Sequence, residues 1–503
     1  MANEIITIVF VHGWSVTGMD TYGELPLRIR SEGLRTGMNL NVKEIFLGRY
    51  ISFHDEVRLH DISRAFQTAV NDQLSDVIKK GSRFMCITHS TGGPVIRDWW
   101  HTYWQSTTCP MSHLIMLAPA NHGSSLAQLG KARIGRLKSW FAGMEPGQGV
   151  LDWLEPGSRE SWDLNLDWIG EKDETVSPEG IFPFVLTGQA IDRKLYDNLN
   201  SYTGEAGSDG VVRVASANLN SRYITLRQPT IIKDPQGNFI SPDFSFGIVS
   251  VAPETAFRVV RKKSHSGDDM GIMKSIIRNI SDTKSADTIG SILQCIKVKS
   301  RSDYELVCKD FAGKNIEIQK EELLETETDL LVFKRYFIHD RYSMVIFRVK
   351  DHTGHPVSDF DLLLTAGLND DPNHLPEGFC ADRQRNRVNP EVITYFFNFD
   401  VLKGFDAVKA GKKVIRPAIP PTTMLGLQIT PRPDKGFVRY LPCKIKASEE
   451  MFNHVLAPNT TTLIDIVLQR IVDKEVFRVE KMTDEDLLKK DFKKVTPGRD
   501  IVD

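Results

Sequence analysis

A serine lies between small residues in the segment T-H-S-T-G, at positions 88–92. The apolar run at 84–88 predicts a strand before Ser90, and P-V-I at 94–96 predicts the start of a helix after it. A strand-to-helix turn of this kind exposes a serine hydroxyl above a sheet, and small residues two positions away let the two backbones pass closely. Thr88 stands where such turns usually have glycine, so we expect a slightly reshaped turn. Ser90 is therefore the predicted nucleophile.

A serine hydroxyl needs a general base, and the base needs an acid to orient it. In hydrolases built on a serine turn of this kind, the chain order is serine, acid, histidine. Asp209 lies in the loop S-D-G-V-V at 208–212, and His265 follows a predicted strand at 257–260. The order and the loop positions predict a triad of Ser90, Asp209 and His265.

Other side chains compete for these two roles. Asp192 and Asp197 are rival acids, but they lie on a stretch with helical character, where a carboxylate is usually solvated. His122 precedes Asp209, so the chain order disfavours it as the base and favours a structural role. For His89, beside the nucleophile, we expect packing.

The developing oxyanion needs backbone N–H donors. The segment H-G-W at 12–14 directly follows the apolar run at 5–11, which predicts a buried strand. Strand ends of a parallel sheet meet at one edge, so the N–H groups of Trp14 and Thr91 are the predicted oxyanion donors.

Three segments together resemble bacterial lipases and phospholipases of the α/β-hydrolase superfamily: V-H-G-W at 11–14, T-H-S-T-G at 88–92 and L-A-P-A-N-H-G-S at 117–124. The resemblance covers about the first 280 residues. It implies hydrolysis of a lipid carboxylic ester through an acyl-enzyme. A soluble esterase or thioesterase, and a pseudo-hydrolase that binds a partner without catalysis, remain alternatives.

The elements that must position these residues alternate between strand and helix over residues 1–285, which predicts an α/β-hydrolase domain with a mostly parallel sheet. Residues 127–180 are rich in aromatic residues, glycine and proline, and predict an inserted helical lid or cap. Trp140, Phe141 and Trp153 are candidates to line an acyl-chain pocket, and simple packing of the insertion is the alternative.

The second half of the chain has a different pattern. After about residue 288 the helical signal weakens, and short β-rich runs such as 291–298, 304–307 and 392–399 are separated by turn residues. This spacing predicts an all-β, sandwich-like domain at 286–503. Our hypothesis is that this domain docks on a membrane surface or a partner protein.

The composition narrows the function further. A chain of 503 residues is expected to form two or three domains, and a net charge of −2 disfavours a nucleic-acid partner. Six cysteines without a C-x-x-C pair favour neither a disulfide framework nor a zinc site. We expect no metal and no cofactor. The alternative is calcium bound by four aspartates in or near sandwich loops, namely Asp359, Asp361, Asp370 and Asp371.

The first residues lack the basic start and cleavage site of a signal peptide, and the apolar run at 5–11 is too short to span a bilayer. We therefore expect synthesis in the cytoplasm. A lipase domain with an added β-module and no signal peptide also resembles antibacterial lipase effectors of the type VI secretion system. That resemblance implies export by a route other than Sec, a delivery protein and a cognate inhibitor.

Overall fold

The structure is a computed structural model of the 503-residue chain. It describes residues 5–12, 21–51, 56–104, 109–129, 147–191, 206–328 and 334–472. Strands and helices alternate through the first part of the chain: β1 (Ile5–His12), α1 (Leu25–Arg35), β2 (Asn39–Phe46), α2 (Leu59–Gln73), α3 (Ser75–Lys79), β3 (Phe84–His89), α4 (Gly92–Tyr103), β4 (Met111–Leu117), α5 (Leu126–Leu129), α6 (Gln148–Leu154), α7 (Arg159–Gly170), β5 (Phe182–Thr187), α8 (Val214–Ala217), β6 (Arg222–Arg227), β7 (Ile232–Lys233), β8 (Phe239–Ile240), β9 (Ser245–Phe246), β10 (Ser250–Val251) and β11 (Ala256–Val259).

Two helices open the second part, and strands dominate after them: α9 (Ala286–Ile296), α10 (Arg301–Glu322), β12 (Leu324–Thr328), β13 (Lys334–Ile338), β14 (Tyr342–Asp351), β15 (Phe360–Thr365), β16 (Cys380–Arg385), β17 (Val392–Asn398), α11 (Phe399–Lys403), β18 (Val408–Ala410), β19 (Lys413–Arg416), β20 (Gly426–Pro431), β21 (Val438–Arg439), β22 (Cys443–Lys446), α12 (Glu449–Val455), β23 (Thr461–Leu468) and β24 (Ile471–Val472).

The first sheet has six strands in the order β11-β5-β4-β3-β1-β2, and every neighbouring pair is parallel. Its central strands β3, β4 and β5 have almost wholly buried side chains, as expected for strands covered on both faces. Because the carboxyl ends of parallel strands lie at one edge, the loops after β3, β4, β5 and β11 meet there. The predicted α/β architecture is confirmed.

The described part of the predicted insertion is helical. Helices α6 and α7 run across residues 148–170, and α7 packs on α4 of the sheet layer. Trp153, Trp162 and Trp168 are all buried in the same core as the first sheet. Because α7 also contacts β6 and β10, this part of the insertion is a packed layer between α4 and those two strands.

The second sheet follows the path β10-β6-β23-β14-β17-β16, with β9 also paired to β6. Strand β14 alternates between two cores: Met344 and Ile346 join the core of the first sheet, whereas Val345 and Phe347 join a separate core. That second core also contains residues of the three-stranded sheet β15-β20-β22. The second sheet is thus buried on both faces, and with the small sheet it forms the predicted sandwich.

Two strand predictions are wrong. Residues 291–298 lie mostly in helix α9, and residues 304–307 lie within helix α10. The buried side of α9 is wide and mixes Thr288 and Ser291 with Ile and Leu side chains, so its helical period is hard to recognise in the sequence. For α10, Ser300 caps the helix and Asp303 completes a capping box, a start signal that is legible in the sequence.

The boundary predicted at residue 285 does not follow the sheets. Strand β6 precedes that boundary but pairs in parallel with β23 in the second sheet. Helices α9 and α10 follow it, yet α10 packs on β11 and α9 contacts β4 of the first sheet. The two halves therefore exchange elements. Among the described residues, no helix has the length and apolarity needed to cross a membrane.

Candidate functional site

Ser90 lies in the turn that joins β3 to α4. Its φ angle is +54°, in the left-handed region that a residue with a side chain rarely adopts. Its N–H donates to the carbonyl of Leu117 at 3.0 Å, and its carbonyl accepts the N–H groups of Gly93 and Ala120 at 3.2 Å each. These bonds to the end of β4 and the residues after it hold the strained turn in place.

Two glycines after Ser90 allow the close approach of this turn to its neighbours. A Cβ atom added to Gly92 would lie 3.1 Å from Cβ of Thr88, and one added to Gly93 would lie 2.7 Å from Cβ of Pro119. The threonine at position 88 therefore fits because its partner across the turn is a glycine.

His265 lies on the loop after β11, with its ring next to Ser90. The hydroxyl of Ser90 lies 3.0 Å from Nε2 of His265 and donates to it. Both side chains are buried: His265 is 0% exposed and Ser90 is 7% exposed. The histidine is therefore within the distance at which a general base accepts a proton.

Asp209 completes the arrangement on the other side of the ring. Nδ1–H of His265 donates to Oδ2 of Asp209 at 3.0 Å, and the backbone N–H of His265 donates to the Asp209 carbonyl at 2.9 Å. The second carboxylate oxygen accepts the N–H groups of Val211 and Val212 at 3.0 and 2.8 Å. The structure thus brings the three residues of the predicted triad into one hydrogen-bonded chain.

His89 also contacts one member of this hydrogen-bonded set, His265. Its Nε2–H donates to the carbonyl oxygen of His265 at 3.1 Å, and the two ring centroids are 4.6 Å apart. Burial lowers the pKa of His89 well below its usual value, the charge of His265 lowers it further, and the bond to the His265 carbonyl opposes both. His89 is consequently neutral at neutral pH, and it packs against the loop of His265.

His122, the competing histidine, has a different partner. Its Nδ1–H donates to the carbonyl of Ser216 at 3.0 Å, and its backbone N–H donates to the same oxygen. Burial lowers its pKa to about 3, against the raising effect of the Ser216 bond. A neutral, buried histidine that joins two loops fits the predicted structural role.

Other predicted positions are placed as follows. Thr91 immediately precedes α4, at a helix start where backbone N–H groups lack intrahelical acceptors. Trp153 is 2% exposed within the main core on α6, so its described environment is that of a packed side chain. Five predicted residues lie outside the described part of the chain: Trp14, Trp140, Phe141, Asp192 and Asp197.

The four aspartates considered for calcium have protein partners. Asp359 and Asp361 pair with Arg432, and Asp370 pairs with two lysines of β22. Asp371 accepts hydrogen bonds from Asn373. Within the described ranges, no group of three or more His, Cys, Asp or Glu side chains is arranged to hold a metal ion.

Sequence reasoning missed the side chains that hold the Asp209 loop. The Ser124 hydroxyl donates to the Val211 carbonyl at 2.7 Å, and Arg213 pairs with Asp382 of β16 at 3.2 Å. Ser124 lies in the segment that carried the lipase resemblance, so that signal was available. Arg213 had no local signal, because its partner is 169 positions away.

The parallel six-stranded sheet and the strained serine turn after β3 define this protein as an α/β-hydrolase, and a match to a phospholipase over nearly its whole length makes it a carboxylic ester hydrolase. The chain belongs to the family of the phospholipase PlaB from Legionella pneumophila. Two solved structures of PlaB, one of them in complex with thio-NAD, are 42% and 41% identical to it. Each comparison covers 95% of this chain and 96% of PlaB, with a TM-score of 0.81. No protein-family model and no curated protein sequence matches the chain.

Proposed function

We propose that this protein is a phospholipase that hydrolyses a carboxylic ester bond of a membrane lipid. Ser90 is the nucleophile, His265 is the general base and Asp209 is its acid partner. The observation that carries the proposal is the His265 ring, which is bonded through one nitrogen to Ser90 and through the other to Asp209, at 3.0 Å each. Membership of the PlaB family supports a phospholipid as the substrate.

The reaction begins with attack of Ser90 Oγ on the ester carbonyl while its proton moves to Nε2 of His265. The Asp209 carboxylate keeps the Nδ1–H tautomer in place and stabilises the imidazolium that forms. The oxyanion is assigned to the N–H of Thr91 and, from the sequence, to that of Trp14. His265 then protonates the leaving alcohol. A water molecule, activated by the same histidine, releases the fatty acid from the acyl-enzyme.

The test uses vesicles of mixed bacterial phospholipids, with the products identified by mass spectrometry. The wild-type protein is expected to release free fatty acid and lysolipid, and the product identity gives the position cleaved. Ser90→Ala is expected to lower kcat by a factor on the order of 10⁶, since the nucleophile has no substitute. A fluorophosphonate probe should label the wild-type serine and leave Ser90→Ala unlabelled.

The alternatives predict different outcomes of the same experiment. Hydrolysis of soluble short-chain esters or thioesters, without release from vesicles, would replace the lipid substrate by a small or protein-bound acyl group. Failure of both hydrolysis and labelling would indicate a binding protein with a hydrolase fold. Docking of the sandwich on a membrane, a cognate inhibitor and a delivery protein stay predictions.

A further inference from the structure

The loop that carries Asp209 is closed on itself. The Asp209 N–H donates to the Val212 carbonyl at 3.1 Å, and the Val214 N–H donates to the Gly207 carbonyl at 2.9 Å. The carboxylate is tied to the loop's own N–H groups at Val211 and Val212. Because the carboxylate is fixed within the loop, its alignment with His265 depends on where the whole loop is held.

The hydrolase part of the molecule holds one side of this loop. The Ser124 hydroxyl binds the Val211 carbonyl at 2.7 Å, and the His265 N–H binds the Asp209 carbonyl at 2.9 Å. Both contacts come from loops at the carboxyl edge of the first sheet. Because these contacts lie on one side only, contacts on the other side are needed to prevent the loop from tilting.

The second sheet supplies these contacts through Arg213. This side chain is 4% exposed, and its guanidinium carbon lies 3.7 Å from the ring centroid of Phe396. Its Nη2 donates to Oδ2 of Asp382 at 3.2 Å. Asp382 and Phe396 are paired across β16 and β17. A buried arginine needs a carboxylate and gains from an aromatic face, and here both come from the same position in the second sheet.

Two other strands of the second sheet contact the same region. Gly207 has φ +68°, and an added Cβ would lie 2.2 Å from the ring of Tyr342 at the start of β14. The hydroxyl of Thr461, at the start of β23, donates to the carbonyl of Ala215 at 2.8 Å. The acid loop and the helix α8 that follows it therefore rest on β14, β17 and β23.

We propose that Arg213, held by Asp382 and Phe396, is a positioning residue for Asp209, so that the second sheet is part of the catalytic apparatus. This inference rests on the proposed function, in which Asp209 orients His265. A displacement of about 1 Å in a catalytic constellation can lower the rate by about 10²-fold. Loss of the Arg213 contacts allows a tilt of the acid loop on that scale, without removing any atom from the triad.

The experiment measures kcat and KM of the full-length protein with a soluble p-nitrophenyl ester. Arg213→Gln and Asp382→Asn are each expected to lower kcat by roughly tenfold or more, with KM little changed. Arg213→Lys should recover only part of kcat. The lysine keeps the charge beside Asp382, but it loses the flat stacking on Phe396.

Strand β16, which carries Asp382, also offers a matched control. Arg385 of β16 also stacks on an aromatic ring, that of Phe360 at 4.3 Å, but on the side of the sandwich core. Arg385→Gln is expected to keep the wild-type kcat. Thermal unfolding of every variant shows whether a lower kcat reflects loss of folded protein.

A double-mutant cycle with Asp209→Asn separates positioning from general damage. If Arg213 acts through Asp209, then Asp382→Asn causes no further loss of kcat in the Asp209→Asn background. A multiplied loss in that background overturns the inference, and so does wild-type kcat in both Arg213→Gln and Asp382→Asn. Wild-type kcat in Asp209→Asn itself overturns the proposed triad and the inference together, so the two failures are distinguishable.

Discussion

The turn of Ser90 and the loop of Asp209 are positioned by different parts of the chain. The backbone of Ser90 bonds to Leu117, Gly93 and Ala120, all within 30 positions of it along the sequence. The loop of Asp209 also contacts Tyr342, Phe396 and Asp382, which lie in the second sheet. Ser90 is thus held by the local strand-turn-helix unit and the residues after β4, whereas the loop of Asp209 is held in addition by a long-range interface.

This difference separates a local motif from a support that depends on distant parts of the chain. The serine turn needs only its two flanking elements and the neighbouring strand, so it is recognisable in many sequences. The acid loop needs a second sheet with an aspartate, an aromatic ring and a tyrosine at defined positions. Changes to the two regions should therefore differ in both size and range.

Among changes to the loop of Asp209, removal of the carboxylate itself should have the largest effect. Asp209→Asn keeps the loop geometry but presents an amide to Nδ1 of His265, which disfavours the productive tautomer. We expect kcat to fall by about 10⁴-fold, less than for Ser90→Ala. Steady-state kinetics with a soluble ester, at high enzyme concentration and with Ser90→Ala as the background, checks this. Near wild-type activity would mean that another group serves as the acid.

A substitution at the contact between the acid loop and the second sheet should have the next largest effect. Gly207→Ala places a methyl group 2.2 Å from a ring carbon of Tyr342, so the loop or the ring must move. We expect kcat to fall by about 10- to 100-fold, as for a small displacement of a catalytic group.

The control for this variant is Gly237→Ala. Gly237 also has a positive φ, +87°, but a Cβ added there meets nothing within 4 Å. It should lose stability by about 1 kcal/mol and keep its kcat. Adding Tyr342→Ala to Gly207→Ala should restore part of kcat, and failure to do so would show that backbone strain, not the ring contact, causes the loss.

The two sheets should also respond differently to acid. Burial, opposed by the bond to the Val298 carbonyl and assisted by the charge of Arg83, lowers the pKa of His113 in β4 to about 4. The unfolded chain therefore binds more protons below about pH 6.5, and the stability is lost as the pH falls towards 4. In the second sheet, burial raises the pKa of Asp465, but the bonds and charges of Arg348 and Lys350 lower it more. That ion pair persists at pH 5.

His113→Gln tests this contrast. When the pH falls from 7 to 5, the protonation of His113 in the unfolded chain should lower the free energy of unfolding of the wild type by about 2 kcal/mol. The glutamine variant lacks this contribution, so its free energy of unfolding should fall by about 2 kcal/mol less. Urea unfolding at the two pH values measures both proteins. An equal loss in both would contradict the assignment of the acid sensitivity to His113.

The smallest effect is expected at the residue that departs from the usual serine turn. Thr88→Gly should change kcat by less than roughly threefold, because a smaller side chain relieves rather than creates contacts there. Gly92→Ala brings two Cβ atoms to 3.1 Å and should be harmful only while Thr88 is present. The kcat of the double variant Thr88→Gly/Gly92→Ala should be higher than that of Gly92→Ala alone, and the difference measures the coupling between the two positions.

Much of the first sheet and the three central site residues could be predicted from the sequence. The serine turn has local signals on both sides, and chain order then selected Asp209 and His265 among several candidates. The strand predicted at 392–399 matches β17 within one residue. These features were predictable because each depends on residues that are close together in the chain.

The features that could not be predicted depend on pairing over long distances. Strand β6 lies within the residues for which the sequence predicts the α/β-hydrolase domain, but β23, the strand with which it pairs, is about 240 positions later. The alternation of β14 between two cores makes the run at 344–347 continuously apolar, so the sequence does not show which side chains face which core. Arg213 reads as an ordinary surface arginine until Asp382 and Phe396 are placed beside it.

The parallel pair of β6 and β23 has a consequence for the order of events during synthesis. One edge of β6 is covered by β9 and β10, which follow it within 30 residues. The other edge has to wait for residues 461–468, after most of the chain has left the ribosome. The hydrogen bond from Thr461 to the carbonyl of Ala215 can therefore form only long after Ser90, Asp209 and His265 have been synthesised, so the three site residues exist in the nascent chain before all the contacts around the loop of Asp209 do.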